Sequence, residues 1–260
     1  MELCVEAALA ALDDAGLDKS QVDGLVTCNA MAQPMLYHAE AIAEYLQIFP
    51  RYCLAVGAGG GTTFSIIHHA ASAIATGMAD VVLVSMADSL RSSLTREQAM
   101  LMQSSTGHPQ FEQPFGATVP AYYALIAQAH MHRYGTTREQ LAAVAVKNHA
   151  NGLLNPHAQY HLKLTVEMAL QSTMVADPLH LMDCSPVTDG AAALVIAPTG
   201  EAQSVSDRVV EIAGIGQTTE RLPENVRPNM HELIAGKRAV QHSLAEAGVT
   251  IKDVDFAEVH

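Results

Sequence analysis

Tryptophan is absent from the 260 residues, and aromatic side chains make up only 5% of them, so the interior must be built from Ala, Val, Leu, Ile and 12 Met. Cores of small residues favour close packing of helices. Basic side chains are also scarce, 14 against 27 acidic ones, for a formal net charge of -13. The Lys and Arg are scattered, which excludes the electrostatic footprint that nucleic acid requires. An anionic ligand would need local help, such as backbone N–H groups at a helix start. The four cysteines, Cys4, Cys28, Cys53 and Cys184, stand far apart and have no metal-ligand spacing. Reduced thiols in a cytoplasmic protein are the simplest reading. No apolar run approaches the roughly 20 residues that a membrane helix needs, and Met1 opens on helical text with no signal-peptide pattern. The composition therefore predicts a soluble, cytoplasmic chain with neither nucleic acid nor membrane as a partner.

What is present is apolar text, 49% of the chain, enough to bury a sizeable core. Helical patterning over 2–15 leads into a strand at 24–27. A helix over 38–46 follows, then a short strand at 53–56, a glycine run at 57–61, a small-residue helix over 62–76 and a continuous apolar strand at 80–86. Alternation of strand and helix predicts an α/β sheet with parallel strands. From Asp88 to Pro186 the text turns to polar loop, then to helices over 122–134 and 138–148, the second opened by a Thr137/Gln140 capping box. Buried-strand text returns at 189–197. The segment 209–216 reads as β-rich, and a further helix spans 230–247.

Residues 12–23 recur as 244–255 at an offset of 232, with Leu12/Leu244, Ala15/Ala247, Gly16/Gly248, Val22/Val254 and Asp23/Asp255 identical. Each copy reads as a helix end, a left-handed Gly cap, a polar turn and an apolar strand, at 25–27 and 256–259. The chain thus holds two starts of one design, the second cut off as it begins. The same offset places the counterpart of 209–216 before Met1, so an internal piece of a larger protein is expected. The domains expected are a first α/β unit at 1–88 and 187–200, an inserted loop domain at 89–186, and the start of a second unit at 201–260.

A strand, a glycine turn and a helix of small residues bring backbone N–H groups to a helix N-terminus, where negative charge is stabilised. One use is nicotinamide binding, with Gly57 and Gly59 in a Gly-x-Gly-x-x-Gly fingerprint and Asp88 as ribose acceptor; Thr62 stands where the third glycine belongs. Another is an elbow that presents a nucleophile. Cys53 and Cys184 read as small core residues, while Thr62 and Thr63 would need an adjacent base to attack and suit helix capping better.

The second use is where the chain resembles the thiolase superfamily, in its lipid-transfer or sterol-carrier-protein branch. The motifs are Gly-Gly-Thr-Thr-Phe at 60–64 before Ala-Ser-Ala-Ile-Ala-Thr-Gly at 71–77, His-Met-His-Arg-Tyr-Gly-Thr-Thr at 130–137, Leu-Asn-Pro-His-Ala-Gln at 154–159, Met-Val-Ala-Asp-Pro-Leu-His-Leu-Met-Asp-Cys at 174–184, and Thr-Asp-Gly-Ala-Ala-Ala-Leu-Val at 188–195. The resemblance implies a thiolase-like fold: a duplicated α/β sheet unit with an inserted loop domain, the second half largely missing here. Condensing thiolases carry Cys in the elbow, because a thiolate both attacks and leaves a thioester readily. Counting back from Gly77 puts that position at Gly60, a vacant nucleophile site, and the text resembles the branch that lacks this Cys, which includes lipid-transfer proteins and a retro-aldolase acting on acyl-CoA. Gly61, Thr62 and Thr63 are the expected substrate-binding residues. Glu258-Val259-His260 resembles the start of that branch's Glu-x-His-Asp-x-Phe pattern, which implies an oxyanion or proton-transfer role for His260. Gly107-His108-Pro109 resembles the thiolase Gly-His-Pro triplet but stands in the wrong half.

The expected activity is making or breaking a carbon–carbon bond β to a CoA thioester, as an acyltransferase or retro-aldolase. CoA thioester is the substrate, no cofactor is covalently bound, and this chain alone is expected to be inactive. The alternatives are a non-catalytic acyl-CoA or lipid-binding subunit working with a partner, and an NAD-binding dehydrogenase. The resemblance further implies a homodimer and a small partner protein with a zinc ribbon and an OB-fold.

Overall fold

A computed structural model describes residues 1–206, 208–221 and 226–259. The chain divides into two compact units, one formed by Met1–Leu94, Thr188–Thr218 and Ala235–His260, the other by Thr95–Val187 and Thr219–Ile234.

The first unit is built on strands β1 (Gly24–Cys28), β2 (Tyr52–Val56), β3 (Val82–Ser89) and β6 (Asp189–Ile196), in the order β2-β1-β3-β6. β1 runs parallel to β2 and β3. Successive side chains on a strand face opposite sides, and the sheet uses both. Leu25 and Leu83 join α1 (Glu2–Ala15) and α2 (His38–Leu46) in a core with Cys4, Ala8, Leu12 and Ile42. Val26, Val82 and Val84 join α3 (Thr62–Ala75) through Ile66, Ala70 and Ala73. β1 is buried along its whole length, as a strand covered on both faces must be. Gly24 is required by close approach: a Cβ there would sit 2.7 Å from Val82 Cγ2 and 3.0 Å from Ala79 Cβ.

Two expectations about this sheet need correction. The segment at 189–197 is a strand but lies antiparallel to β3, with Val82 opposite Ile196 and Ser89 opposite Asp189. It is also largely exposed rather than buried, and among the described residues its one strand neighbour is β3. The apolar run Ala191–Ile196 looks in sequence like a covered strand, and composition alone cannot distinguish a covered position from an edge. Parallel order holds only for the three strands joined by helical crossovers; β3 reaches β6 through Thr95–Val187 of the second unit, and so long a connection imposes no direction.

The repeat is reproduced hydrogen bond by hydrogen bond. At the end of α1, Gly16 has φ 66°, and the N–H groups of Gly16 and Leu17 donate to Asp13 and Leu12. At the end of α10 (Ile234–Ala247), Gly248 has φ 69°, and Gly248 and Val249 donate to Ala245 and Leu244. A single 3-10 turn follows each, Lys19–Gln21 capped by Asp18 and Ile251–Asp253 capped by Thr250. There the copies part. The first continues into β1, whereas 256–259 forms no strand, and Phe256 and Val259 are more than four-fifths exposed. The segment 209–216 is likewise not a strand. It lies against α10, so close that a Cβ on Gly214 would be 2.2 Å from Ser243 O and one on Gly216 1.8 Å from Ala239 O. A strand exists by its ladder bonds, and neither segment has a strand neighbour among the described residues.

In the second unit the expected polar loop after Asp88 contains helix. After the short α4 (Leu90–Ser93) of the first unit, α5 (Arg96–Ser104) opens on a Thr95/Gln98 capping box. α6 (Val119–Tyr134) and α7 (Arg138–Gly152) follow, the latter with the expected box, in which Gln140 Oε1 accepts the Thr137 N–H at 2.9 Å. α8 (Val166–Gln171) packs on α7 through Ala142, Ala145, Leu164 and Ala169. Arg138 pairs with Asp177 in the turn of a small hairpin, β4 (Met174–Ala176) and β5 (Leu179–His180), and Gln128 of α6 donates to the Asp177 carbonyl. α9 (Thr199–Val205) belongs to the first unit. Among the described residues no helix is long and apolar enough to cross a membrane.

Candidate functional site

The parallel strands of the first unit end at one edge, the usual place for a ligand in an open α/β sheet. From β2 the chain passes Gly57 and Ala58 into a 3-10 turn, Gly59–Gly61, and from there directly into α3. Gly59 takes φ 58°, the left-handed region, which lets the strand reverse into the helix within three residues. Thr62 closes the turn: its hydroxyl accepts the Ala58 N–H at 2.8 Å and donates to the Gly59 carbonyl at 2.7 Å. Thr62 is buried and its hydroxyl is engaged within the elbow. Thr63 is exposed, and its hydroxyl contacts Met86 Sδ of β3 at 3.3 Å.

Gly60 and Gly61 are exposed, and a Cβ on either would have no described atom within 4 Å. Neither has the positive φ that would exclude a side chain. Space is therefore not what keeps Gly60 free of a side chain. The thiols do not supply a substitute. Burial pushes the thiols of Cys4 and Cys28, which are buried, and of Cys53 and Cys184, which are half-buried, above their ordinary range, which favours the protonated form. Cys4 Sγ meets Ser85 Oγ at 2.9 Å inside the core, a packing role.

The loop after β1 shares this edge. Asn29 donates its N–H to the Val56 carbonyl, and a Cβ on Gly57 would be 3.7 Å from Asn29 Nδ2. Asp88, at the end of β3, anchors the loop by accepting the Met31 N–H at 2.8 Å and the Ala32 N–H at 3.2 Å. Both carboxylate oxygens thus hold the protein's own backbone, which gives Asp88 a structural role at this edge. The loop ends at His38, the first residue of α2, 4% exposed and with no hydrogen-bond partner for Nδ1 among the described residues. Burial lowers its pKa, against the opposing carboxylate of Asp88, and favours the neutral form. Sequence reasoning passes over His38; the available signal is a histidine on the apolar face of an amphipathic helix, beside Ala39, Ile42 and Leu46.

His260 lies outside the described residues, so its geometry relative to the elbow is not described. Gly107-His108-Pro109 falls in the second unit, where His108 stacks on Phe111 and a Cβ on Gly107 would lie 2.1 Å from the Tyr122 hydroxyl oxygen. That glycine is explained by packing. No group of His, Cys, Asp and Glu among the described residues could hold a metal ion.

The family model of the thiolase N-terminal domain matches residues 1–200. This chain belongs to the thiolase family. Its motifs place it in the branch related to sterol carrier protein 2. Over 262 residues it is 33% identical to an acetyl-CoA acetyltransferase of Methanothermobacter thermautotrophicus, covering 100% of this chain and 68% of that one. It is also 33% identical to the 17-hydroxy-3-oxo-4-pregnene-20-carboxyl-CoA lyase of Mycobacterium tuberculosis, covering 100% and 69%. The solved Ltp2-ChsH2(DUF35) aldolase matches with a TM-score of 0.84 at 31% identity, over 97% of this chain and 66% of that one. The chain spans about two thirds of the length of these thiolase relatives. The matched 1–200 hold the four-stranded sheet, the elbow and helices α5 to α8 of the second unit.

Proposed function

We propose that this chain is part of an acyl-CoA protein that breaks or makes a carbon–carbon bond β to a thioester by aldol chemistry, without an acyl-enzyme. The observation that carries the reading is the elbow with Gly60 at its turn, where no side chain stands to take up an acyl group. Acyl transfer through the enzyme needs a nucleophile that attacks the thioester and leaves again. Aldol cleavage of a 3-hydroxyacyl-CoA needs none. A base takes the hydroxyl proton, the bond between the α and β carbons breaks, and its electron pair moves into the thioester as an enolate, leaving an aldehyde or ketone; protonation of the enolate gives the shortened acyl-CoA. The requirement is then for donors at the thioester oxygen, where backbone N–H groups of the 60–63 turn at the start of α3 would serve, and for a proton-transfer group, the role given to His260. Gly61 and Thr63 would contact the ligand, with Thr62 holding the turn that presents them.

A second reading, a binding subunit that works with a partner, is supported by the aldolase relative, whose name joins two components, Ltp2 and ChsH2(DUF35). The two readings share a requirement for further protein, and the chain alone is expected to turn nothing over. A small partner carrying a zinc ribbon and an OB-fold, homodimerisation and a cytoplasmic setting complete the proposal. The test is to titrate the chain with 3-hydroxyacyl-CoA and assay both thiolysis and aldehyde or ketone release, with and without such a partner. Binding, no thiolysis in either case and cleavage on adding the partner are expected. Thiolysis at ordinary enzyme rates by the chain alone would refute the proposal.

A further inference from the structure

The loop between β1 and α2 lines two cavities that are partly open to solvent. One, of about 250 Å³, is lined by Met1, Ala30, Gln33, Pro34, Met35 and His38. The other, of about 30 Å³, lies against His38, Asp88 and Ser89. The larger is below the roughly 300–1,000 Å³ of a site that encloses a whole drug-sized ligand, so it suits one end of a molecule. Its lining is mainly apolar, and its loop carries flexible, part-exposed Met31 and Met35, side chains that adapt to differently shaped apolar ligands. Gln33 and His38 are its polar residues, and the Nδ1 of His38, on a residue only 4% exposed, has no hydrogen-bond partner among the described residues. Burying an imidazole nitrogen unpaired is unfavourable, and native proteins retain few such groups. Asn29 and Asp88 tie the loop backbone to the sheet edge that carries the elbow.

We propose that the larger cavity receives the far end of the substrate's acyl group, and that His38 Nδ1 hydrogen-bonds a hydroxyl carried there. The inference rests on the acyl-CoA reading and adds a specificity-determining residue to it. A hydroxyl is the fitting partner because it both donates and accepts, and so satisfies either tautomer of a neutral imidazole.

The test is calorimetric titration of the chain with ω-hydroxyoctanoyl-CoA and octanoyl-CoA, repeated with the hexanoyl and decanoyl pairs. For at least one chain length the hydroxylated member is expected to bind about three- to ten-fold tighter, the worth of one hydrogen bond. His38→Phe should abolish that ratio while leaving the plain acyl-CoA bound. His38→Asn, which keeps a donor and an acceptor, should retain part of it. In the wild type the His38 Nδ1 resonance should shift with the hydroxylated ligand and not with its counterpart, a readout independent of any variant's folding. Equal binding of every pair with an unmoved resonance would leave the acyl-CoA reading standing and overturn this proposal, the nitrogen then being served by water in the smaller cavity. Failure of every acyl-CoA to bind would overturn both.

Discussion

Replacing Thr62 by valine removes the hydroxyl from the elbow and keeps its shape, so the loss can be worked out from two hydrogen bonds. The hydroxyl accepts from Ala58 at 2.8 Å and donates to Gly59 at 2.7 Å. Each such bond contributes about 0.5–1.5 kcal/mol net, and a deeply buried orphaned donor costs about 1–3 kcal/mol more. Ala58 and Gly59 are exposed, so water reaches the Ala58 N–H and the Gly59 carbonyl once the hydroxyl is gone, and the orphan penalty is mostly avoided. The expected loss is about 1–3 kcal/mol for Thr62→Val, close to zero for Thr62→Ser, with an unchanged urea m-value because the same surface is exposed on unfolding. Urea denaturation followed by circular dichroism measures all three. If the valine variant unfolds at the wild-type midpoint, or if serine is as damaging as valine, Thr62 does not close the turn, and its hydroxyl must be sought in another role.

The glycines of the sheet and the elbow should respond oppositely to a methyl group. Gly24→Ala should cost about 1–3 kcal/mol by overpacking against Val82, whereas Gly60→Ala should change stability by no more than about 1 kcal/mol, in either direction; thermal melts of the two variants decide. Asp23 should make stability acid-sensitive. Burial opposes its ionisation, but the N–H groups of Val81 and Asp80 and the Arg51 guanidinium outweigh this and hold the carboxyl below its ordinary range. A lowered folded-state pKa stabilises above the unfolded value of ~3.9 and is lost as pH falls through it toward the folded value. The stability gap between wild type and Asp23→Asn should therefore be widest near neutrality and close below about pH 4; urea midpoints across pH test it, and a gap that persists in acid contradicts it.

The sequence was most legible where structure is made by near neighbours. The 3.6-residue pattern placed α1 and α2, and the Gly16 and Gly248 caps and the Thr137 box rest on bonds spanning a few residues. The elbow was legible for the same reason: a glycine turn, Thr62 and the helix that follows are one contiguous segment. What sequence could not show depends on distant partners. The direction and exposure of β6 follow from which strand it meets at the sheet edge, and 209–216 and 256–259 have strand composition without a strand beside them. The Thr95/Gln98 box is as readable as the one at Thr137, and the reading of the text after Asp88 as polar loop leaves it out. His38 was missed because its environment is assembled from the loop, β3 and α1, none of which marks it in sequence.

Intact-protein mass spectrometry after incubation with excess acetyl-CoA or a longer acyl-CoA tests most directly whether this chain works without an acyl-enzyme. The account predicts an unmodified wild-type mass, with Gly60→Cys as the variant able to gain a single acyl group. An acyl adduct on the wild type, mapped by peptide digestion to Cys53, Thr62, Thr63 or Cys184, would contradict it.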